Sequence, residues 1–544
     1  MAQPLARGWA SGSSVSRPPL TDCVGPMLAL FEAMLARAYC AGLDGVDGYL
    51  ITVEADVRRG LPGLTVVGRA SGAVGEARER VRNALAHCGH EVRPRKQVVN
   101  LAPADRRKDS PGIDLSMAVA LLACHEVVPV ASLESLMLWG ELGLDGVLRP
   151  AVGTLIVADC ARRAGFDTIA VPRASADEAA LCPGLRVLAV DDLPSLVAHL
   201  RGETPIAPHQ RDASFEDVPQ GPDMADVQSQ AAGRLAVEVM AAGGHNLLLH
   251  GPPGVGKTML ARRAAGLLPT LEGDEALEVT KLHSLSGGRA PTSLWTRPPV
   301  RMPHHTVSSA GLLGGGTPAR PGEVSLAHGG LLFLDELPEF ARACTEGMRE
   351  PLEDGEVSIV RANYALRFPA RFQLMAAMNP CPCGYLGHPE RQCTCSAAAV
   401  QRYQARLSGP LLDRIDLVVP MRPPASLDER PQECSAQIRA RIETARARQR
   451  ERLGSTTFRN NAQIPTDGGA MESLCPIDDG GRALLKQLAT VRQLSPRARD
   501  RMRRVAMTLV DLHRPSEAVD APIGSREVAI AGSLRRLPDL QPGT

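Results

Sequence analysis

The sequence predicts a multidomain α/β protein with a nucleotide-binding core, and three observations carry that expectation. The chain has 544 residues, more than one ordinary hydrophobic core serves. Gly251, Pro252, Pro253, Gly254, Val255, Gly256, Lys257 and Thr258 have the spacing GxxxxGK[ST], between a strand-like run at Asn246–His250 and a helix-like run at Met259–Leu268. From about Pro420 the pattern becomes helical and rich in arginine.

Composition excludes several classes. Basic and acidic side chains number 61 and 60, so any contact with nucleic acid must come from local patches. The most apolar early stretch, Met27 to Leu43, is broken by Glu32 and Arg37, and no run reaches the ~20 residues that span a bilayer. The N-terminus lacks a basic-then-apolar leader, and the 13 cysteines are odd in number and scattered, so a reducing cytoplasm and no membrane are expected. Only five of the basic residues are lysines, so each retained lysine is slightly informative.

In chain order, residues 1–33 are rich in Ser, Pro and Gly without a period and read as a disordered tail, with Met34 a candidate true start. Residues 34–200 mix strand-like runs (Tyr49–Glu54, Leu64–Val67, Val98–Leu101, Thr168–Val171, Arg186–Val190) with amphipathic helices (Gly75–Cys88, Asp114–Cys124, Gly153–Ala164), an α+β or α/β domain. Residues 201–222 hold four prolines and read as a linker. A core at 223–420, a helical region at 421–535 and a tail at 536–544 complete the division.

The chemistry follows from residue type and spacing. Backbone N–H groups of the glycine-rich loop can cradle a β-phosphate, Lys257 can reach the β- and γ-phosphates of ATP, and Thr258 can ligate Mg²⁺. Leu331–Leu334 followed by Asp335 and Glu336 reads as a buried strand ending in two acids. Asp335 suits the Mg²⁺ shell, and Glu336 suits a base that accepts a proton from attacking water. A further strand-like run, Gln373–Met378, ends in the polar Asn379. Cys381, Cys383, Cys393 and Cys395 crowd into one loop directly afterwards. Four thiolates can close a Zn²⁺ site with His388 as an alternative ligand, while a disulfide or free thiols remain the other readings.

The blocks His304–Gly316, Pro321–Gly330, Glu350–Glu356, Asn379–Gly384 and Leu407–Leu417, with Val53–Asp56, Arg59–Gly63 and Val99–Asp105, resemble the ComM/YifB family of magnesium-chelatase-like AAA+ ATPases from Met34 to about Arg535. Gly68–Gly72 departs from the usual family sequence. The resemblance implies a ring, usually a hexamer, with each nucleotide shared between neighbours. In it Asn379 is sensor 1, Arg414 the arginine finger and Arg497 the sensor 2 residue of a C-terminal lid. His304–Gly330 matches a pore-lining insertion and Glu356–Phe372 a pre-sensor hairpin; His304 and His305 read as pore-loop, packing or metal-ligating residues.

The N-terminal domain resembles the Lon-protease-like (S5-type) fold through Lys108–Asp114 and Gly140–Pro150. Gly112 and Leu155 stand at the serine and lysine positions, so a non-catalytic module is expected. The family's ComM branch implies a helicase that drives DNA branch migration in recombination or natural transformation. Arginine runs at Gln437–Leu453 and Arg492–Arg504 offer a surface for DNA, or alternatively a solvated helix face. A magnesium-chelatase-type motor subunit and a protein-remodelling ATPase are the competing functions.

Overall fold

The structure, a computed structural model, describes residues 34–536 apart from 59, 69–71, 91–94, 107, 109, 212–220, 287–289, 317–318, 362–363, 424–431, 455, 457 and 467–468. The expected tails at 1–33 and 537–544, the centre of the linker and most of the Gly68–Gly72 departure lie outside the described residues.

Alternating burial builds the first sheet. Ala36, Ala38 and Cys40 face inward from Met34–Asp44, and Ile51, Val53, Ala55 and Val57 do so from Asp47–Arg58. These two strands pair antiparallel from Met34 opposite Val57 to Asp44 opposite Asp47, closed by Gly45 and Val46. They sit third and fourth in a seven-stranded mixed sheet ordered Gly63–Val67, Lys96–Ala102, Asp47–Arg58, Met34–Asp44, Leu136–Leu138, Thr168–Pro172, Arg186–Val190. Helix Asp114–Cys124 is apolar around almost its whole circumference, and all its residues are buried beneath this sheet. The early part of the segment read as a linker is pinned to the sheet, since His209 N–H donates to Val187 O at 2.7 Å and Ile206 N–H to His199 Nδ1 at 2.8 Å.

The second sheet positions the site. Its strands are β1 (Leu247–His250), β2 (Val300–Arg301), β3 (Leu331–Leu334), β4 (Gln373–Met378) and β5 (Leu417–Pro420), all parallel, in the order β2-β3-β4-β1-β5. Continuous apolar runs are required because both faces are covered. Leu247, Leu249, Leu331, Phe333, Met375 and Ala377 join one core cluster with the C-terminal helices. Leu248, Leu332, Leu334, Leu374 and Ala376 join another, with the hairpin Glu356–Arg361/Tyr364–Pro369.

Among the described residues five α-helices follow the sheet: Ser435–Leu453, Ala470–Leu474, Asp479–Val491, Pro496–His513 and Ser525–Ser533. Contacts that tie the first sheet's domain to the core include an apolar one and an ionic one. Val46, at the tip of the first hairpin, sits in the cluster that holds Ile359 and Phe368 of the second hairpin. Lys281 and Asp159 form a buried ion pair at 2.9 Å.

Candidate nucleotide-binding site

The strand order has a local consequence. Because β4 lies between β1 and β3, the loop after β1, Asn379 after β4 and the acids after β3 meet at the carboxyl edge of the sheet. Gly254 and Gly256 hold φ of +82° and +93°, and a Cβ on either would meet nothing within 4 Å, so the loop curls around open space. Gly256 opens helix Lys257–Ala264, whose N-terminus points its free N–H groups into that space.

Lys257 is buried and donates to Gly251 O at 2.6 Å, Pro252 O at 2.9 Å and Asn379 Oδ1 at 3.0 Å. Burial lowers its ammonium to about 8, against the opposing pull of Asp335 and Glu336. Thr258 Oγ1 donates to Asp335 Oδ2 at 2.7 Å, bringing together the two oxygen ligands that the sequence nominates for Mg²⁺. Asp335 Oδ1 accepts the Glu336 N–H at 3.0 Å. Glu336 itself adopts φ +53°, ψ +46°, a left-handed conformation rare outside glycine, and remains exposed at the rim. An anion-accepting loop, a cation with no carboxylate among the described residues within ion-pair distance, and a paired hydroxyl and carboxylate fit a Mg²⁺–nucleotide.

One further contact meets Glu336 at this edge. His305 Nδ1 lies 3.5 Å from Glu336 Oε2, with its ring tilted against His304 at 4.1 Å between centroids and edge-on to Phe340. The His304-His305 pair was visible in the sequence, but its partner lies across the fold.

Arg414 and Arg497 are not at this edge. Both line an open cavity of about 1050 Å³ together with Gly244, Asn246, Gly330 and Gln373, which precede or begin the strands at the amino edge. Arg414 pairs with Glu353 and donates to Pro410 O at 2.9 Å; Arg497 is exposed. The nominated catalytic set is therefore split between the two ends of one sheet.

The four loop cysteines do converge. Their sulfurs all lie within 4.8 Å of one another, and His388 takes another role, its Nδ1 accepting the Glu390 and Arg391 N–H groups at 3.1 Å. N–H groups of Tyr385 and Thr394 pull the Cys383 thiol down to about 5, while burial pushes Cys381 up.

The arginines of Ser435–Leu453 are largely engaged inside the molecule. Arg439 donates to Gly266 O at 2.9 Å, Arg441 binds Glu238 and Glu433 at 2.8 Å, Arg446 donates to Ala241 O at 2.9 Å, and Arg448 and Arg452 surround Asp511. Most of that run holds the helix to its neighbours, which favours the helix-face reading over a free surface for DNA, while Arg450 is exposed. In the N-terminal domain a Cβ on Gly112 would lie 2.6 Å from the Trp139 ring, and Leu155 is fully buried.

The sheet order and the phosphate-loop geometry are those of a mixed α/β, multidomain protein with an AAA+-type core. Profiles described as magnesium chelatase, subunit ChlI (residues 223–428), subunit ChlI of Mg-chelatase (53–175) and magnesium chelatase, subunit ChlI C-terminal (432–535) match the chain. It is 41% identical to an uncharacterized protein of Mycobacterium tuberculosis, covering 92% of this chain and 99% of that protein. Identity to YifB of Escherichia coli is 41%, covering 86% and 91%, and to competence protein ComM of Haemophilus influenzae 38%, covering 88% and 94%. The chain belongs to the ComM/YifB family of magnesium-chelatase-like proteins. No described helix is long and apolar enough to cross a membrane.

Proposed function

We propose that the protein is a ring-forming ATPase, of hexameric type, that couples ATP hydrolysis to movement of DNA, including branch migration during recombination or uptake of transforming DNA. The observation that carries the hydrolytic half is the cluster of Lys257, Thr258, Asp335, Glu336 and Asn379 at one sheet edge. Thr258 and Asp335 would hold Mg²⁺, which would neutralise charge at the phosphates. Lys257 binds the β- and γ-phosphates, Asn379 orients the attacking water and Glu336 accepts its proton. Arg414 and Arg497 serve the nucleotide of the adjacent subunit, Arg497 from a helical lid at 421–535.

The 34–200 region is read as a Lon-like module without proteolytic chemistry. Trp139 against Gly112 supports this reading, because a serine there has no room. The DNA half rests on 38% identity, over most of both chains, to a protein named for competence. A magnesium-chelatase 38 kDa subunit of Acidiphilium rubrum is 27% identical over 34% of this chain, which supports a shared motor more than a shared cargo. The test is ATP turnover with single-stranded, duplex and four-way-junction DNA beside an unfolded protein and a porphyrin-loaded partner. Stimulation by DNA alone is expected; stimulation by only the protein or porphyrin transfers the reading to remodelling or chelation.

A further inference from the structure

The cysteine loop begins where the sensor strand ends. Asn379 follows β4, and Cys381 and Cys383 come next in the chain. Cys395 then directly precedes Ser396, the N-cap of helix Ala397–Gln404. That helix runs back to the same place: Gln404 Nε2 donates to Pro380 O at 3.2 Å, and the buried Tyr403 hydroxyl is hydrogen-bonded to the Asn379 backbone. The loop also touches the phosphate loop. Gly384 has φ +84°, and a Cβ there would lie 2.7 Å from Pro253 Cδ and 3.9 Å from Asn379 Cγ.

The sulfur geometry selects among the chemistries open to four cysteines. Cys381, Cys383 and Cys393 are separated by 3.4, 3.6 and 3.5 Å in a near-equilateral triangle. Disulfide sulfurs lie about 2.05 Å apart, whereas a tetrahedron with Zn–S bonds of about 2.3 Å has edges of about 3.8 Å. Backbone N–H groups of Cys383 and Leu386 donate to Cys395 Sγ and Cys381 Sγ at 3.4 Å each, the outer hydrogen bonds that steady thiolate ligands.

We propose that Cys381, Cys383, Cys393 and Cys395 hold one zinc ion in a closed four-thiolate site, and that this ion positions Asn379 and the phosphate loop for ATP turnover. The second half rests on the nucleotide site assigned above. Binding releases the thiol protons to solvent, leaving the metal no open position for substrate. Its role is mechanical: it ties the end of β4 to the start of the helix that braces Asn379, so the wall behind Pro253 cannot retreat.

The test uses the full chain. Metal analysis is expected to find about one zinc per chain, and none in Cys383→Ser/Cys393→Ser. Chelation of wild-type protein, followed by zinc re-addition, avoids dependence on how that variant folds. Turnover is expected to fall roughly 10- to 100-fold on zinc removal and to return with zinc. Gly384→Ala keeps all four thiols; it is expected to retain zinc yet weaken binding of a fluorescent ATP analogue and raise KM. Wild-type protein purified with zinc present but carrying none, or carrying iron instead, overturns the site. Zinc-free protein with unchanged nucleotide binding and turnover overturns the positioning role. If zinc is present but neither wild-type nor Lys257→Ala binds nucleotide, the nucleotide assignment falls and takes the positioning role with it, while the metal site stands.

Discussion

Lys257 illustrates how burial and function meet in one side chain. Burial holds its ammonium down at about 8 against the pull of Asp335 and Glu336, two carbonyls and an amide oxygen accept its protons, and an arriving triphosphate supplies further negative charge. Lys257→Ala is expected to abolish nucleotide binding, measured by equilibrium titration. Glu336→Gln should bind ATP normally yet lose about 10²- to 10⁴-fold in turnover; retained turnover means that another base acts. His305 shares that carboxylate's position, so His305→Ala should lower kcat far more than it changes KM, with partial rescue by His305→Asn. The phosphate loop and acids were legible in the sequence because their spacing is local. The His305–Glu336 contact was not, because it depends on how the insertion folds over β3.

Among elements, helix Ser435–Leu453 shows where sequence reading stops. Its six arginines are visible as charge, but their partners lie far away in sequence: Glu238 is 203 residues from Arg441, and Ala241 is 205 from Arg446. Arg441→Ala is therefore expected to cost about 1–3 kcal/mol in urea unfolding while leaving any DNA affinity unchanged at matched salt; a DNA defect without a stability change reverses this assignment. Helix Gly273–Ser284 carries His283 stacked on Trp295 at 4.0 Å, and burial, then Arg301, hold that imidazole down at about 4. Unfolded histidine titrates near ~6.5, so the unfolded chain binds the extra proton between those values. The stabilising effect of a neutral His283 is thus complete above about pH 6.5 and lost as pH falls toward 4. The urea midpoint of wild type should fall more steeply over that window than that of His283→Gln.

On the scale of the whole molecule, β1, β3 and β4 were legible as apolar runs, whereas helix Asp114–Cys124 was legible as a helix but read as amphipathic, and it is buried on every side. The three-residue strand Leu136–Leu138, too short to carry a period, was not legible. Strand order was equally hidden, and it decides the last prediction. Lys257 stands beyond the carboxyl end of β1, whereas Arg414 precedes β5, paired with β1 in parallel, so about four residues of strand, roughly 13 Å, separate the two edges. One chain cannot bring Arg414 to its own phosphates without dismantling the sheet. A head-to-tail ring resolves this, since heterologous contacts set the amino edge of one subunit against the carboxyl edge of the next. Arg414→Ala and Lys257→Ala should each be inactive alone, because one lacks the donor and the other the nucleotide. Mixed one to one, about a quarter of interfaces in randomly assembled rings combine an intact phosphate loop with an intact arginine, and turnover should recover in that proportion. Mixed rings that form, as seen by native mass measurement, yet remain silent assign Arg414 to its ion pair with Glu353 and to holding the amino edge together.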